Sequence, residues 1–269
     1  MSDSFSVHAL DGGSMLCPRP NLFHIGGNPE HLEGEPMVIP FPSYLIRHPK
    51  GDVVVDGGWR QEVCAAGDPS LKPTTIGTLV LGPDSHVLAQ VEALDVDPAD
   101  VRYVVHTHLH NDHVGGTGHF PNAIELVDES ELRVGLSPGW FTEFIYDTEP
   151  ISAPDLNWET IAIAADDPGH DLYGDGTIRL IATPGHSIGH MSLVLSGGDG
   201  ASLILAGDAV PDRPHFEEEA MPGWSVDAEK AAASIKRVRE LQDQLQCEVL
   251  FGHSIEQWQD LAKGPDSLL

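Results

Sequence analysis

Basic residues are scarce in this chain: 14 Lys and Arg stand against 42 Asp and Glu, a formal net charge of -28. A surface of that sign repels phosphate, which argues against nucleic acid and anionic membrane as partners, since both need a basic footprint. The acidity itself suits solubility or a salty surrounding. Cysteine is sparse as well. Cys17, Cys64 and Cys247 are odd in number and widely spaced, with no Cys-x-x-Cys pair. That pattern excludes a disulfide framework and a zinc ribbon and leaves buried thiols as the expectation. No stretch approaches the roughly 18 apolar residues of a membrane-crossing helix. The opening MSDSFSVHALDGG has neither the basic nor the apolar region of a secretory signal, so a cytoplasmic enzyme is expected.

What the chain does have is the composition of a compact protein, with 41% hydrophobic and 21% charged residues over 269 positions, enough for one large α/β domain spanning 1–269. Short β-branched runs bounded by Gly, Pro and Asp read as strands: SYLIRH, DVVVDGG, VRYVVHTH, AIELVD, TIRLIATPG, HMSLVLSGG, ASLILAGD and CEVLFGH. Helices are fewer. The clearest spans roughly Val226 to Gln246, with Ile235, Val238, Leu241 and Leu245 on one stripe and Ser225 or Asp227 as cap. A second is expected near Ser85 to Ala93. The segments 60–83 and 136–158 fit neither pattern and read as lid insertions. The second concentrates Trp140, Phe141, Phe144, Tyr146 and Trp158, which suit either satellite core or the wall of an apolar pocket.

The stretch HTHLHNDHVGG, from His106 to Gly116, holds four histidines and one aspartate. His106, His108 and His110 alternate, so on a strand all three would face one side. A second register takes His108, His110, Asp112 and His113 instead, and spacing alone does not choose between them. Three further polar clusters share this placement at the end of a strand-like run: TPGHSIGH around His186, AGDAV around Asp208 and FGHS around His253. Imidazole and carboxylate are the donors of zinc and similar ions, which take three or four protein groups and leave a position open when the site is catalytic. Five histidines and two aspartates suffice for two such ions.

From the pattern His108-x-His110-x-Asp112-His113 onward, the chain resembles a metallo-β-lactamase-fold hydrolase, and the likeness runs from VVVDGG at Asp56 to FGHS at His253. That resemblance implies an α/β fold of the αββα sandwich type, two mixed β-sheets flanked by helices. It also implies that His108, His110 and His186 bind one divalent ion, that Asp112, His113 and His253 bind a second, and that Asp208 bridges the two, with zinc the expected metal. His106 then falls outside the ligand set as a buried or supporting residue. Asp56 orients ligands from behind, and His190 is structural. Two ions hold a hydroxide between them for attack on a carbonyl, with Asp112 carrying the proton and Asp208 the second residue of the chemistry.

Within the superfamily, ALDGG, FPSYLIRHPKGDVVVDGG, HTHLHNDHVGG and TPGHSIGHMSLVL resemble the N-acyl homoserine lactonases and related small-lactone lactonases of quorum quenching. One position departs from them. Those enzymes commonly carry a Tyr three residues after the bridging Asp, and here it is Pro211, leaving His215 or Tyr146 as replacement donors. A lactonase acting on a small-molecule lactone or ester is therefore expected, with a homodimer as its assembly. A glyoxalase-II-like thioesterase is the alternative, although only Lys263 follows His253 as a cation for glutathione. A persulfide-dioxygenase-like iron oxidoreductase and a fold-retaining protein without catalysis complete the alternatives.

Overall fold

The computed structural model describes residues 5–65, 72–74, 76–140, 142–198 and 200–269. Thirteen strands occur among them. In chain order, the first eight are β1 (Ser6–Cys17), β2 (Met37–Arg47), β3 (Asp52–Val55), β4 (Lys72–Pro73), β5 (Thr78–Val80), β6 (Val101–Val105), β7 (Ile124–Asp128) and β8 (Trp158–Ile161). They form one sheet in the order β4-β5-β1-β2-β3-β6-β7-β8. The remaining five are β9 (His170–Asp171), β10 (Ile178–Ala182), β11 (Met191–Ser196), β12 (Ser202–Gly207) and β13 (Glu248–Phe251), in the order β13-β12-β11-β10-β9. Both sheets are mixed: β3, β6, β7 and β8 run parallel, as do β12 and β13, and the other pairings are antiparallel.

Alternation along the strands dictates the layering. Val53 and Val55 of β3 face inward and meet Leu193 and Leu195 of β11 in the core between the sheets, together with Ile46, Val105, Leu180 and Leu205. Val54 and Val104 point the other way and pack on Val87 and Val91 of the helix Val87–Ala93. On the opposite side Val194 and Ile204 meet Ile235 and Val238 of the helix Ala228–Leu245. A strand with both faces apolar must be covered twice, and helix, sheet, sheet, helix is the arrangement that does so. This is the αββα sandwich expected.

The eight strands read from the sequence all form, and the long helix is capped by Asp227, whose carboxylate accepts from the Lys230 N–H at 3.1 Å. Three features differ. β1 escapes the sequence pattern because Asp11-Gly12-Gly13 interrupts its alternation. The pairing with β2 shifts register between Asp11 and Ser14, with Gly13 at φ +87°. The segment 60–83 holds the helix Gln61–Ala65, the edge strand β4 and its neighbour β5, although residues 66–71 and 75 lie outside the described ones. Cys247 is half-buried, whereas Cys17 and Cys64 are buried, and none of the three is in a disulfide. Among the described residues no helix is long and apolar enough to cross a membrane.

Candidate metal centre

The loop after β6 is set by the end of the neighbouring strand. Asp56, one residue beyond β3, sits at φ +55°, a left-handed conformation that Asp tolerates better than most side chains. From there its Oδ1 accepts the Thr107 N–H at 2.8 Å and its Oδ2 accepts the Thr107 hydroxyl at 2.8 Å and His113 Nδ1–H at 2.9 Å. Two glycine pairs let the loops cross. A Cβ on Gly57 would stand 2.1 Å from the Gly116 nitrogen, and one on Gly115 would stand 2.3 Å from the Trp59 oxygen.

Held this way, His106 and His108 part company. His106 is fully buried with Nε2 2.7 Å from Glu125 Oε2 and its ring against Trp158, away from the other histidines. His108, His110 and His113 turn toward His186, Asp208 and His253. The register that leaves His106 out is the one the fold adopts.

Asp208, directly after β12, is the hub. Its Oδ2 lies 3.0 Å from His253 Nε2, 3.3 Å from His186 Nε2 and 4.0 Å from His108 Nε2, while Oδ1 lies 3.6 Å from His113 Nε2. Asp112 Oδ2 is 3.6 Å from His113 Nε2 and 3.9 Å from His253 Nε2. His110 Nδ1 is 3.0 Å from His186 Nε2. All seven side chains sequence reasoning selected thus gather at one place, six buried and Asp112 half-buried.

The ring tautomers are fixed from behind. Nδ1–H of His186 donates to the Trp224 carbonyl at 3.0 Å and that of His253 to the Pro40 carbonyl at 2.9 Å. The Thr107 hydroxyl, which donates to Asp56, stands 3.1 Å from His108 Nδ1. Each ring accordingly presents Nε2 forward. His190 supports the hub itself: its Nε2 accepts the Asp208 N–H at 3.0 Å and its Nδ1 meets the Thr183 hydroxyl at 2.9 Å. Burial, with His186 nearby, lowers its pKa to about 3, so it stays neutral.

Whether a cation fits can be tested on unsatisfied atoms. Nε2 of His108, His110 and His113 and Oδ1 of Asp208 are buried without a hydrogen-bond partner, a costly condition unless something binds them. Donor atoms of His108, His110 and His186 lie within 4.8 Å of one another, as do those of His108, His113 and Asp208 and those of Asp112, His113 and His253. Burial and neighbouring imidazoles push His108 and His110 well below the usual histidine range, which leaves their nitrogens free to ligate. Burial acts the same way on His253, but the Asp208 and Asp112 carboxylates outweigh it and pull that ring up to about 9. A buried set of imidazoles and carboxylates with orphaned donor atoms suits divalent metal ions.

A cavity opens onto the cluster. His110, Asp112, His186, Asp208 and His253 form one side, and Met15, Leu22, Ile39, Ile76, Ile145 and Trp224 form an apolar wall opposite. Met15 and Ile39 come from β1 and β2, which the sequence reading did not assign to the site, whereas Ile76 and Ile145 come from the segments 60–83 and 136–158 that it read as lid insertions. Pro211 lines the cavity, but neither proposed replacement donor faces it. The Tyr146 hydroxyl donates to Glu131 Oε1 at 3.1 Å, and His215 is fully buried between the carbonyls of Leu22 and Asp212. Both are spent on buried acceptors. Of the aromatic segment, Trp140 is 83% exposed, Phe144 is half-exposed against Trp224, and Phe141 lies outside the described residues.

The family model of the metallo-beta-lactamase superfamily matches residues 42–253. The chain is 36% identical over 263 residues to the N-acyl homoserine lactonase AttM of Agrobacterium fabrum, covering 97% of each. It is 35% identical over 262 residues to AttM of Azorhizobium caulinodans, covering 96% of this chain and 97% of that one. A solved N-acyl homoserine lactone hydrolase with the product N-hexanoyl-L-homoserine at its catalytic metal center superposes with a TM-score of 0.83 over 98% of both chains. At 24% identity that last likeness is one of fold. With the family model spanning the strand ends that carry every clustered histidine and aspartate, the chain belongs to the metallo-beta-lactamase superfamily.

Proposed function

We propose that this chain is a metal-dependent lactonase that opens the ring of an N-acyl homoserine lactone or a related small lactone. The observation that carries this reading is the buried imidazole and carboxylate cluster facing an apolar wall, in a chain similar over 97% of its length to named N-acyl homoserine lactonases. His108, His110 and His186 would hold one ion, Asp112, His113 and His253 the other, and Asp208 would join them. Zinc is the metal these donors suit best. Such a pair, when bound, polarises a carbonyl oxygen and lowers the pKa of water toward neutrality.

The chain's own groups supply the rest. Asp112, half-buried at the cavity edge, can take a proton from the attacking water and pass it to the ring oxygen as the acyl C–O bond breaks. Asp208 is kept ionised: burial opposes that, and the His253, His113 and His186 rings beside it overcome the penalty. Met15, Ile39, Ile76 and Trp224 exclude water and seat an apolar substituent. The glutathione-thioester alternative is weakened because Lys263 Nζ already donates to the carbonyls of Trp258 and Leu261 at 2.5 and 3.3 Å.

The test is purified, zinc-loaded protein against acyl homoserine lactones, aromatic lactones, aryl esters and thioesters, read by pH-stat. Acid release from lactones, abolished by chelation and by Asp208→Asn in a folded protein, is the expected result. Turnover of glutathione thioesters with every lactone untouched would overturn the reading.

A further inference from the structure

Glu131 has no part in the chemistry above, yet its side chain is fully buried and it forms no ion pair among the described residues. It lies in the short helix Glu129–Gly135 that follows β7. Burial pushes its pKa up, and the hydrogen bonds it accepts pull it back. Burying a carboxylate away from any cation is costly enough that its partners must account for it. Oε1 accepts the Leu109 N–H at 3.2 Å and the Tyr146 hydroxyl at 3.1 Å, and Oε2 accepts the Gly189 N–H at 2.9 Å.

The placement of those donors is informative. Leu109 stands between His108 and His110, and Gly189 stands between His186 and His190 in sequence. One carboxylate therefore ties the loop after β6 to the loop between β10 and β11. Tyr146 adds to this, since its ring meets His110 edge-on at 4.9 Å while its hydroxyl holds Glu131. The approach of the second loop is close: a Cβ on Gly189 would stand 2.8 Å from Glu131 Cβ and 2.4 Å from Asp128 Oδ1. A carboxylate has an acceptor oxygen for each loop, whereas an amide would turn an NH2 group against one of the two N–H donors.

We propose that Glu131 is a positioning residue that sets the separation of His110 and His186, and so the affinity for the ion they share with His108. The inference rests on the ligand assignment proposed above. Replacing such an outer partner typically weakens metal binding about 10- to 100-fold.

The experiment equilibrates folded protein with zinc at chelator-buffered free concentrations, well below each variant's melting midpoint, and measures bound zinc per chain. In Glu131→Gln, one ion is expected to stay at wild-type affinity while the other weakens about 10- to 100-fold. With Co2+ in place of zinc, the d–d spectrum of the weakened site should change. Tyr146→Phe, which removes one donor, should weaken the same ion by about fivefold, and it carries the test if Glu131→Gln does not fold. Val238→Ala, on the buried face of the helix Ala228–Leu245, supplies a comparable loss of stability and should leave both affinities unchanged. Wild-type zinc affinity in the folded variants, or equal weakening in Val238→Ala, would overturn the proposal. A protein that binds zinc as expected but opens no lactone would remove the substrate reading and leave this one standing.

Discussion

His106 and His108 stand two residues apart at the end of β6 and face different chemistry. His106 is hydrogen-bonded to Glu125, whose other oxygen accepts the Gly118 N–H at 2.9 Å, so its task is to satisfy a buried carboxyl group. His108 presents an unsatisfied Nε2 to the Asp208 hub. Opposite outcomes follow. His106→Ala should cost about 3–5 kcal/mol of stability, because it leaves Glu125 buried without its partner, while zinc per folded chain stays at the wild-type level. His108→Ala should lower bound zinc with a smaller loss of stability. Urea denaturation combined with elemental analysis separates the two, and loss of zinc in folded His106→Ala would show that the ring serves the centre after all.

The four polar clusters were legible because each ends a strand-like run, after VRYVV, TIRLIATP, ASLILAG and CEVLFG, while the family likeness picked His108, His110, Asp112 and His113 over the register with His106. Their supporters were harder to see. Asp56 came from the family likeness. Glu131 and Thr107 carry no motif, since a hydrogen bond to a backbone N–H from another segment leaves no spacing signature in the chain. For the same reason Tyr146 and His215 were taken as donors to the cavity, when distant acceptors already claim both.

At the scale of elements, the two glycine-bearing turns after β3 and β6 cross in close contact. Gly57 needs space rather than an unusual φ, since a methyl group there would meet the Gly116 nitrogen at 2.1 Å. Gly57→Ala should therefore push the turns apart and reduce zinc affinity at least tenfold through His113 and Asp56, a change that chelator competition can measure. Far from the site, Leu193 of β11 is fully buried between the sheets. Leu193→Ala should cost about 2–5 kcal/mol by leaving a cavity, seen as a lower urea midpoint with zinc content unchanged. If zinc content fell in step with stability, the sheets and the centre would be more tightly coupled than the layering implies.

Elements apolar on both faces, such as DVVV and MSLVL, were visible in the sequence as short apolar runs bounded by turn formers. β1 was not, for its register shift at Asp11 to Ser14 breaks the period where the strand bends. β4 and β5 were missed because strands of two and three residues are too short to show a pattern.

For the whole molecule, acid should be the effective denaturant. His215 has its pKa lowered to about 4 by burial, against the opposing carbonyls of Leu22 and Asp212. Its folded value lies below the unfolded one near 6.5, so the unfolded chain binds the proton first. The stability associated with the neutral ring is complete above about pH 6.5 and is lost as pH falls toward 4, on the order of 3 kcal/mol. Thermal midpoints between pH 8 and 4.5 should fall less steeply in His215→Phe, which can keep the stacking on Phe23. Parallel slopes for the two proteins would rule this contribution out.

The sequence by itself determined the donor types, their order along the chain and the apolar runs that force two covered sheets, because these depend on local pattern and residue chemistry. Only the tertiary structure decided that His106 turns to Glu125, that β1 and β2 wall the cavity, and that Glu131 joins two ligand loops. Each of those depends on which distant segments meet, and the partner in a long-range contact is selected by packing rather than by spacing.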